Sequence, residues 1–247
     1  MTDETAGGDL AQTLALLWRP PDPADRTARR SGLDVDRIVD SAVGLADAEG
    51  LAAVSMRRVA TALGTGAMSL YTHVPGKAVL VSLMHDAVLR GLYPEPPAGH
   101  WRARLVTVAR ANWDLYLRHP WAARVGTGRP VLGPHLMSKY DVELSAVDGL
   151  GLSEVQMDLV VTLVNAFVRG TVGGLHQVVS GSAGDEWWAA AQPHLGRVFD
   201  PTRYPTAARV GPAAGQELGG YDAERSFEFG LERLLDGIGV LILNPAR

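Results

Sequence analysis

The chain has 247 residues, of which 47% are hydrophobic, so it is long and apolar enough to bury a core. It contains no cysteine, which excludes disulfides, thiolate zinc sites and cysteine nucleophiles and is typical of a reducing compartment. The formal net charge of −4 gives no global support for nucleic-acid binding, so any such function must rest on a local site.

Residues 1–32 show no sustained periodicity, and we expect them to form a flexible N-terminal arm. Pro20, Pro21 and Pro23 interrupt the arm, and a small packed turn is predicted at residues 14–18. The opening stretch MTDETAGGDL is acidic and lacks the basic region of a secretory signal. We therefore expect a soluble, cytoplasmic protein.

Two short helices are predicted next. Asp34 is a suitable N-cap and Gly50 a suitable C-terminal residue for the first helix. Apolar residues recur between them at helical spacing, namely Ile38, Val39, Ala42, Val43 and Ala46. Ser55 caps the second helix, and Gly64 ends it.

A third short helix is predicted to begin at Ala67, directly after the turn at Thr65 and Gly66. It must stop by Val74, because Pro75 disfavours helical geometry in the residue before it. A longer fourth helix begins at Lys77. Helix, glycine-bearing turn and helix is the pattern of a helix-turn-helix, whose second helix enters the major groove of DNA.

The third helix is polar on the face that a groove would meet. Ser69, Tyr71, Thr72 and His73 offer hydroxyl and imidazole groups that suit phosphate and base contacts. The same pattern also occurs in all-α proteins with no DNA role, so spacing alone leaves both interpretations open.

Prolines 94, 96 and 97 predict a boundary, after which helical patterns resume at Trp101. One helix is expected to reach Arg118, a short one covers 121–125, and another runs from Pro134 to the glycines at 149–151. Ser153 and Gln156 form a capping box that opens a long helix, apolar on nearly all sides. Its most apolar run, 159–168, is too short to span a bilayer.

The stretch 181–220 is rich in Gly, Pro and Ala and is predicted to be a long loop with one or two short helices. A final amphipathic helix covers 223–243, with Gly230 and Gly237 placed for close helix contact. No strand pattern is present in the sequence. The predicted fold class is therefore all-α.

Residues 33 to about 92 resemble the DNA-binding domain of the tetracycline-repressor (TetR) family, through "ADAEGLAAVSMRRVATALGTGAMSLYTHVPGKAVLVSLM". The segments "LYLRHPWAARVGTGRP" and "FEFGLERLLDGI" are similar to the C-terminal domain of tetracycline-repressor type. The resemblance implies a three-helix helix-turn-helix domain over 33–94, joined by a connecting helix to a ligand-binding and dimerisation domain over 95–247.

The resemblance implies a homodimeric transcriptional regulator, usually a repressor, that leaves a near-palindromic double-stranded operator when a small molecule binds. We expect no enzyme activity, no cofactor and no membrane partner. Carried over by position, the residues that face DNA are Arg57, Ala67, Met68, Ser69, Tyr71, Thr72, His73 and Lys77. Ala67 and Met68 cannot make bidentate hydrogen bonds to bases, so we expect an operator different from that of the tetracycline repressor itself.

In the namesake repressor, a histidine late in the fourth helix helps to hold the drug, and a second one helps to hold magnesium. Counting from Lys77, this chain has Tyr93 at the first position, and the second region reads Val-Gly-Thr at 125–127. We therefore expect a largely hydrophobic ligand and no magnesium chelate. Polar or aromatic residues on otherwise apolar helices are the ligand candidates: Trp113, Tyr116, Arg129, His135, Asn165, Arg169 and His176. The alternative roles are core packing and hydrogen bonding at a dimer interface.

Other classes of function have little support in the sequence. The seven histidines include no close pair at ligand spacing, and there is no cysteine, so no metal site is predicted. No nucleophile elbow or phosphate-binding glycine loop is present. The main alternative to a regulator is an all-α module that binds a small molecule without binding DNA.

Overall fold

The computed structural model describes residues 3–20, 33–125, 132–179, 183–218 and 222–244. Every regular element in these ranges is a helix, which confirms the all-α prediction. The α-helices are α1 (Asp3–Leu17), α2 (Val35–Glu49), α3 (Met56–Ala62), α4 (Ala67–Tyr71), α5 (Lys77–Val88), α6 (Trp101–Arg118), α7 (Pro134–Ser145), α8 (Glu154–Val179), α9 (Ala183–Val198), α10 (Pro205–Leu218) and α11 (Ala223–Leu243).

The chain forms two compact units, Met1–Val161 and Thr162–Arg247, and each is described separately. The boundary between them lies within α8. The predicted domain boundary after residue 94 remains a prediction.

Local capping chemistry sets the bounds of the helix-turn-helix. The Asp34 carboxylate accepts a hydrogen bond from the backbone N–H of Arg37 at 2.7 Å, and the Ser55 hydroxyl accepts one from Arg58 at 3.3 Å. Gly50 and Gly64 have φ values of 83° and 67°, a conformation that favours glycine. Helix α4 ends at Tyr71, before the predicted limit at Val74.

The prediction of a flexible N-terminal arm is wrong for residues 3–17, which form the 15-residue helix α1. Thr13 and Leu17 are buried, and α1 packs against α5. After the helix, the Trp18 indole N–H donates to the carbonyl oxygen of Leu132 at 2.9 Å. The stretch 21–32 lies outside the described residues. Tertiary packing on α5 thus fixes a segment that has little periodicity of its own.

Helix α7 ends at Ser145, earlier than the glycines at 149–151 that were expected to end it. Gly149 and Gly151 instead form the turn that follows, both with positive φ. The predicted capping box is confirmed, because the Ser153 N–H donates to Gln156 Oε1 at 2.9 Å and the Gln156 N–H donates to Ser153 Oγ at 3.3 Å. Helix α8 therefore begins where the sequence indicates.

The second unit corrects the prediction of a long loop at 181–220. Two helices of 16 and 14 residues, α9 and α10, occupy most of this stretch. Each tolerates an internal proline, Pro193 and Pro212 respectively. Many of the remaining residues are alanine, the best helix former, which offsets the glycines and prolines.

Helix α11 contacts α8 closely within the second unit. The rings of Phe167 and Phe227 stack with centroids 5.8 Å apart. A β-carbon on Gly230 would lie 2.5 Å from Phe167 Cε2, so any larger residue here would force the Phe167 ring to shift. The predicted close contact at Gly230 is therefore present.

One stretch of α8, Glu154–Gly173, is long and apolar enough to cross a membrane by length and composition alone. This is more than the short run at 159–168 suggested. The core helix of a soluble protein passes the same test, and part of this stretch is buried in the protein. The stretch is therefore weak evidence for a membrane span.

Candidate functional site

Helix α4 has one buried face and one exposed face. Leu70 is fully buried, while the side chains of Met68 and Tyr71 are 78% and 47% exposed. Ser69 and Thr72 are also exposed, and the Thr72 hydroxyl donates to the carbonyl oxygen of Ser69 at 2.7 Å. A large apolar side chain and an aromatic ring thus project from a short helix without covering the protein core.

Two cations beside α4 are available for a partner. Arg57 and Lys77 are exposed, and neither side chain has a hydrogen bond or ion pair within the described parts of the chain. Arg58 differs from its neighbour, because its guanidinium pairs with Glu49 at 2.6 Å. Lys77 is the first residue of α5, where free backbone N–H groups also favour an anion.

A buried polar cluster lies in the first unit, formed by Tyr93, Asn112, Lys139 and Glu143. Glu143 Oε1 accepts hydrogen bonds from the Tyr93 hydroxyl at 2.6 Å and from Asn112 Nδ2 at 2.7 Å. Lys139 Nζ lies 2.7 Å from the same oxygen and 2.8 Å from Oε2. Asn112 Nδ2 also donates to the Tyr93 hydroxyl at 2.9 Å.

The polar cluster is buried deeply enough to shift the pKa of Tyr93. Asn112 and Glu143 are each 1% exposed. Burial, reinforced by the negative charge of Glu143, raises the pKa of Tyr93 well above its usual range. The Asn112 oxygen Oδ1 has no hydrogen-bond partner among the described residues, which is costly for a buried acceptor. The cluster therefore offers an unused acceptor to a bound molecule.

Two carboxylates link the helix-turn-helix and its following helix to the rest of the first unit. Asp47 Oδ1 on α2 accepts from the Trp121 indole at 2.7 Å and lies 2.8 Å from His119 Nδ1. Asp86 on α5 accepts from the backbone N–H of Leu136 at 2.9 Å, in the first turn of α7. Helix α7 also carries Lys139 and Glu143, so it connects the polar cluster to α5.

Two family models match this chain, one over the helix-turn-helix and one over the residues that follow it. The family described as bacterial regulatory proteins, tetR family, matches residues 38–84. The family described as tetracyclin repressor-like, C-terminal domain, matches residues 93–242. The chain belongs to the TetR family. It is therefore a ligand-responsive transcriptional regulator of a normally non-enzymatic, soluble family.

Several TetR-family relatives match nearly the whole chain. The HTH-type transcriptional repressor DrrR1 of Streptomyces coeruleorubidus is 40% identical and covers 98% of this chain and 90% of its own length. The tetracycline repressor protein class E of Escherichia coli is 25% identical over 83% of this chain and 90% of its own. The crystal structure of Streptomyces coelicolor ActR with actinorhodin is 31% identical, with a TM-score of 0.72 over 85% of this chain and 98% of that one.

The ligand residues predicted from the sequence are distributed over both units of this TetR-family chain, and a site that they share stays a prediction. Trp113 and Tyr116 are buried on α6, and Asn165 is buried on α8. His135, in the first turn of α7, accepts from Arg90 Nε at 3.2 Å. The remaining candidates lie as follows: Arg169 is half-buried on α8, Arg129 lies outside the described residues, and the His176 side chain is likewise not described.

Sequence reasoning missed three members of the polar cluster. Lys139 and Glu143 are four residues apart on α7, a spacing that usually indicates a solvent-exposed ion pair. Asn112 adjoins the predicted Trp113, but a lone asparagine on a helix gives no sequence signal of a buried site. The available signal was Lys139 itself, because it is one of only two lysines in the chain.

Proposed function

We propose that this protein is a homodimeric repressor that binds a near-palindromic operator through α4 and is released by a small, largely hydrophobic molecule. The observation that carries the DNA interface is the exposure of Met68 and Tyr71 on a helix that buried Leu70 holds in place. The repressor direction is supported by DrrR1, a relative that is itself named a transcriptional repressor. The site of action is then the cytoplasm, where bacterial DNA lies.

The proposed DNA contacts are of two kinds: contacts to phosphates, which position the protein, and contacts to bases, which recognise the sequence. Arg57 and Lys77 are cations beside α4 that have no partner among the described residues and suit phosphate oxygens, and the Tyr71 hydroxyl extends the same surface. Ala67 and Met68 at the start of α4 meet base edges by apolar contact. The full proposed set is Arg57, Ala67, Met68, Ser69, Tyr71, Thr72, His73 and Lys77. Ala67 and His73 are half-buried, while the other six residues are exposed.

The proposed dimer uses α8 and α11. Both helices keep apolar side chains at the surface of the second unit, including Leu163 on α8 and Phe229 and Leu243 on α11. Phe229 is 64% exposed and Leu243 is 80% exposed. Apolar area of this kind on two long helices suits a four-helix interface between two copies.

The proposed ligand binds at the polar cluster of Tyr93, Asn112, Lys139 and Glu143. The unpaired Asn112 Oδ1 would accept a hydrogen bond from the ligand. By resemblance, Tyr93 stands where the tetracycline repressor has a drug-binding histidine. ActR has been crystallised with actinorhodin, and this supports a small-molecule ligand for the present protein. Magnesium is not required in this proposal.

Operator selection tests the DNA part of the proposal. Purified protein is used to capture fragments of the source genome, and enriched fragments are then titrated and footprinted. We expect near-palindromic fragments with half-sites about one helical turn apart, roughly 34–36 Å. If no fragment is enriched by protein that still binds small molecules, the chain is a ligand-binding module without a DNA role.

A thermal-shift screen followed by operator titration tests the release. By linkage, a true inducer must weaken operator binding by the same factor by which operator weakens inducer binding. Almost complete release needs a preference of about 5.5 kcal/mol for the released geometry. Hits that bind tightly yet leave operator affinity unchanged, or that bind only with magnesium, would contradict the proposal.

A further inference from the structure

A cavity lies in the first unit, and its lining is separate from the polar cluster. Its volume is about 840 Å³, and it is lined by the end of α1, the start of α2, the middle and end of α5, and the first turn of α7. No member of the polar cluster lines it. This volume is within the range that accommodates a drug-sized molecule, roughly 300–1,000 Å³.

One wall of the cavity is apolar and includes Trp18. The side chain of Trp18 is 54% exposed, although its only polar atom already donates to the Leu132 carbonyl oxygen. Leu17, Val39 and Leu83 extend this wall. An aromatic ring whose polar atom is satisfied but whose surface remains exposed is suited to contact with a flat apolar molecule.

The acidic groups that line the cavity are already engaged. Asp36 pairs with Arg19, and Asp34 accepts from the backbone N–H of Arg37. Asp86 accepts from the backbone at the start of α7. The negative charges of this cavity therefore have partners within the protein.

The Arg90 guanidinium has fewer partners than these carboxylates within the described part of the chain. Its Nε donates to His135 Nε2 at 3.2 Å, while its two terminal amino groups have no hydrogen-bond partner among the described residues. His73 also lines the cavity and makes no side-chain hydrogen bond in the described part of the protein. Arg90 is thus free to bind an anion with its planar pair of amino groups.

We propose that this cavity binds an aromatic carboxylate. The aromatic body lies against Trp18 and the neighbouring aliphatic side chains, and the carboxylate pairs with the Arg90 guanidinium beside His73. His73 directly follows α4, and Asp36 belongs to α2, so the bound molecule contacts the helix-turn-helix itself. The site is independent of a ligand at the polar cluster.

Calorimetric titration of the full-length protein tests the assignment, with 2-naphthoate as the probe and 2-naphthamide as its neutral counterpart. Arg90→Gln should weaken naphthoate binding by about tenfold or more, since a charge-assisted hydrogen bond is lost, and should leave naphthamide binding unchanged. Trp18→Ala should weaken the binding of both probes. Arg118→Gln is the matched control, because Arg118 is exposed on α6 and, among the described residues, its side chain bonds only to its own helix.

Two results would overturn the proposal. One is the absence of saturable naphthoate binding to the wild-type protein. The other is naphthoate affinity that is the same in Arg90→Gln or Trp18→Ala as in wild type, because the molecule would then bind elsewhere. Circular dichroism of each variant establishes that the helices are intact, and Arg90 is exposed, so its replacement leaves the core untouched.

Discussion

Gly133 lies so close to Asp86 that a β-carbon at position 133 would sit 2.3 Å from the carboxylate oxygen Oδ1. The close approach lets the Asp86 carboxylate reach the backbone N–H groups of His135 and Leu136, at 3.4 and 2.9 Å. Asp86 therefore caps α7 from a different helix, α5. This contact connects the helix that follows the DNA-binding region to the helix that carries Lys139 and Glu143.

Asp86→Ala should uncouple ligand binding from operator release. The lost cap should lower the free energy of unfolding by about 0.5–2 kcal/mol. Because the direct DNA contacts are unchanged, operator affinity without ligand should stay near wild type, while the ratio of affinities with and without inducer should fall. Operator titrations measure both quantities. Asp141→Ala, an exposed carboxylate on α7, is the control. Unchanged release in Asp86→Ala would contradict the coupling role.

Replacing the proposed phosphate contacts should weaken binding to all DNA sequences. Lys77→Ala should make the slope of log K against log salt concentration shallower by about one unit per half-site. The reason is that each subunit then releases one fewer counterion on binding. Met68→Ala should instead alter preference at one position of each half-site. Fluorescence anisotropy over a salt series, with Arg118→Ala as the charge control, measures these effects. Wild-type affinity and salt slope in Lys77→Ala would exclude Lys77 from the interface.

A charge placed on the exposed apolar face of α11 should disrupt the dimer. Phe229→Glu would bury a carboxylate without a partner in the proposed interface, at a cost of several kcal/mol. Sedimentation equilibrium at micromolar concentration should then give a monomer, whereas wild type gives a dimer. Leu117→Glu on α6, an exposed leucine outside α8 and α11, should remain dimeric. A monomeric wild-type protein would refute the interface.

Gly230→Ala and Gly237→Ala should have opposite effects on stability. A methyl group on Gly230 would lie 2.5 Å from the Phe167 ring, and overpacking of this kind costs about 1–3 kcal/mol. No described atom lies within 4 Å of a β-carbon on Gly237, so that change should gain up to about 1 kcal/mol of helix propensity. Urea unfolding measures both free energies. Equal effects would show that the Phe167 contact is not tight.

The stability of the protein should fall as the pH rises above about 10, the ordinary pKa of tyrosine. The folded protein keeps Tyr93 protonated, because burial and the charge of Glu143 raise its pKa, while the unfolded chain loses the proton. Unfolding then releases a proton and becomes easier by about 1.4 kcal/mol per pH unit. Tyr93→Phe should remove this part of the slope in urea unfolding at high pH. Tyr71→Phe, which replaces an exposed tyrosine, should retain it.

The helix-turn-helix and the helix ends within it could be predicted from the sequence, because they depend on local capping chemistry. Asp34, Ser55 and Gly64 act on backbone groups within a few residues of themselves, so their effect can be read from the chain. The same holds for the capping box of Ser153 and Gln156. The motif over 33–92 was sufficient to indicate the TetR family, because its order and spacing reflect this local geometry.

The hydrogen bonds of the polar cluster could not be predicted from the sequence. Tyr93 and Glu143 are 50 residues apart in the chain, and Asn112 and Glu143 are 31 apart, so no local pattern predicts their hydrogen bonds. Helix α1 is likewise held by packing on α5 and not by its own periodicity. Contacts between distant residues depend on how helices pack, and burial then turns an ordinary Lys–Glu spacing into the centre of a buried site.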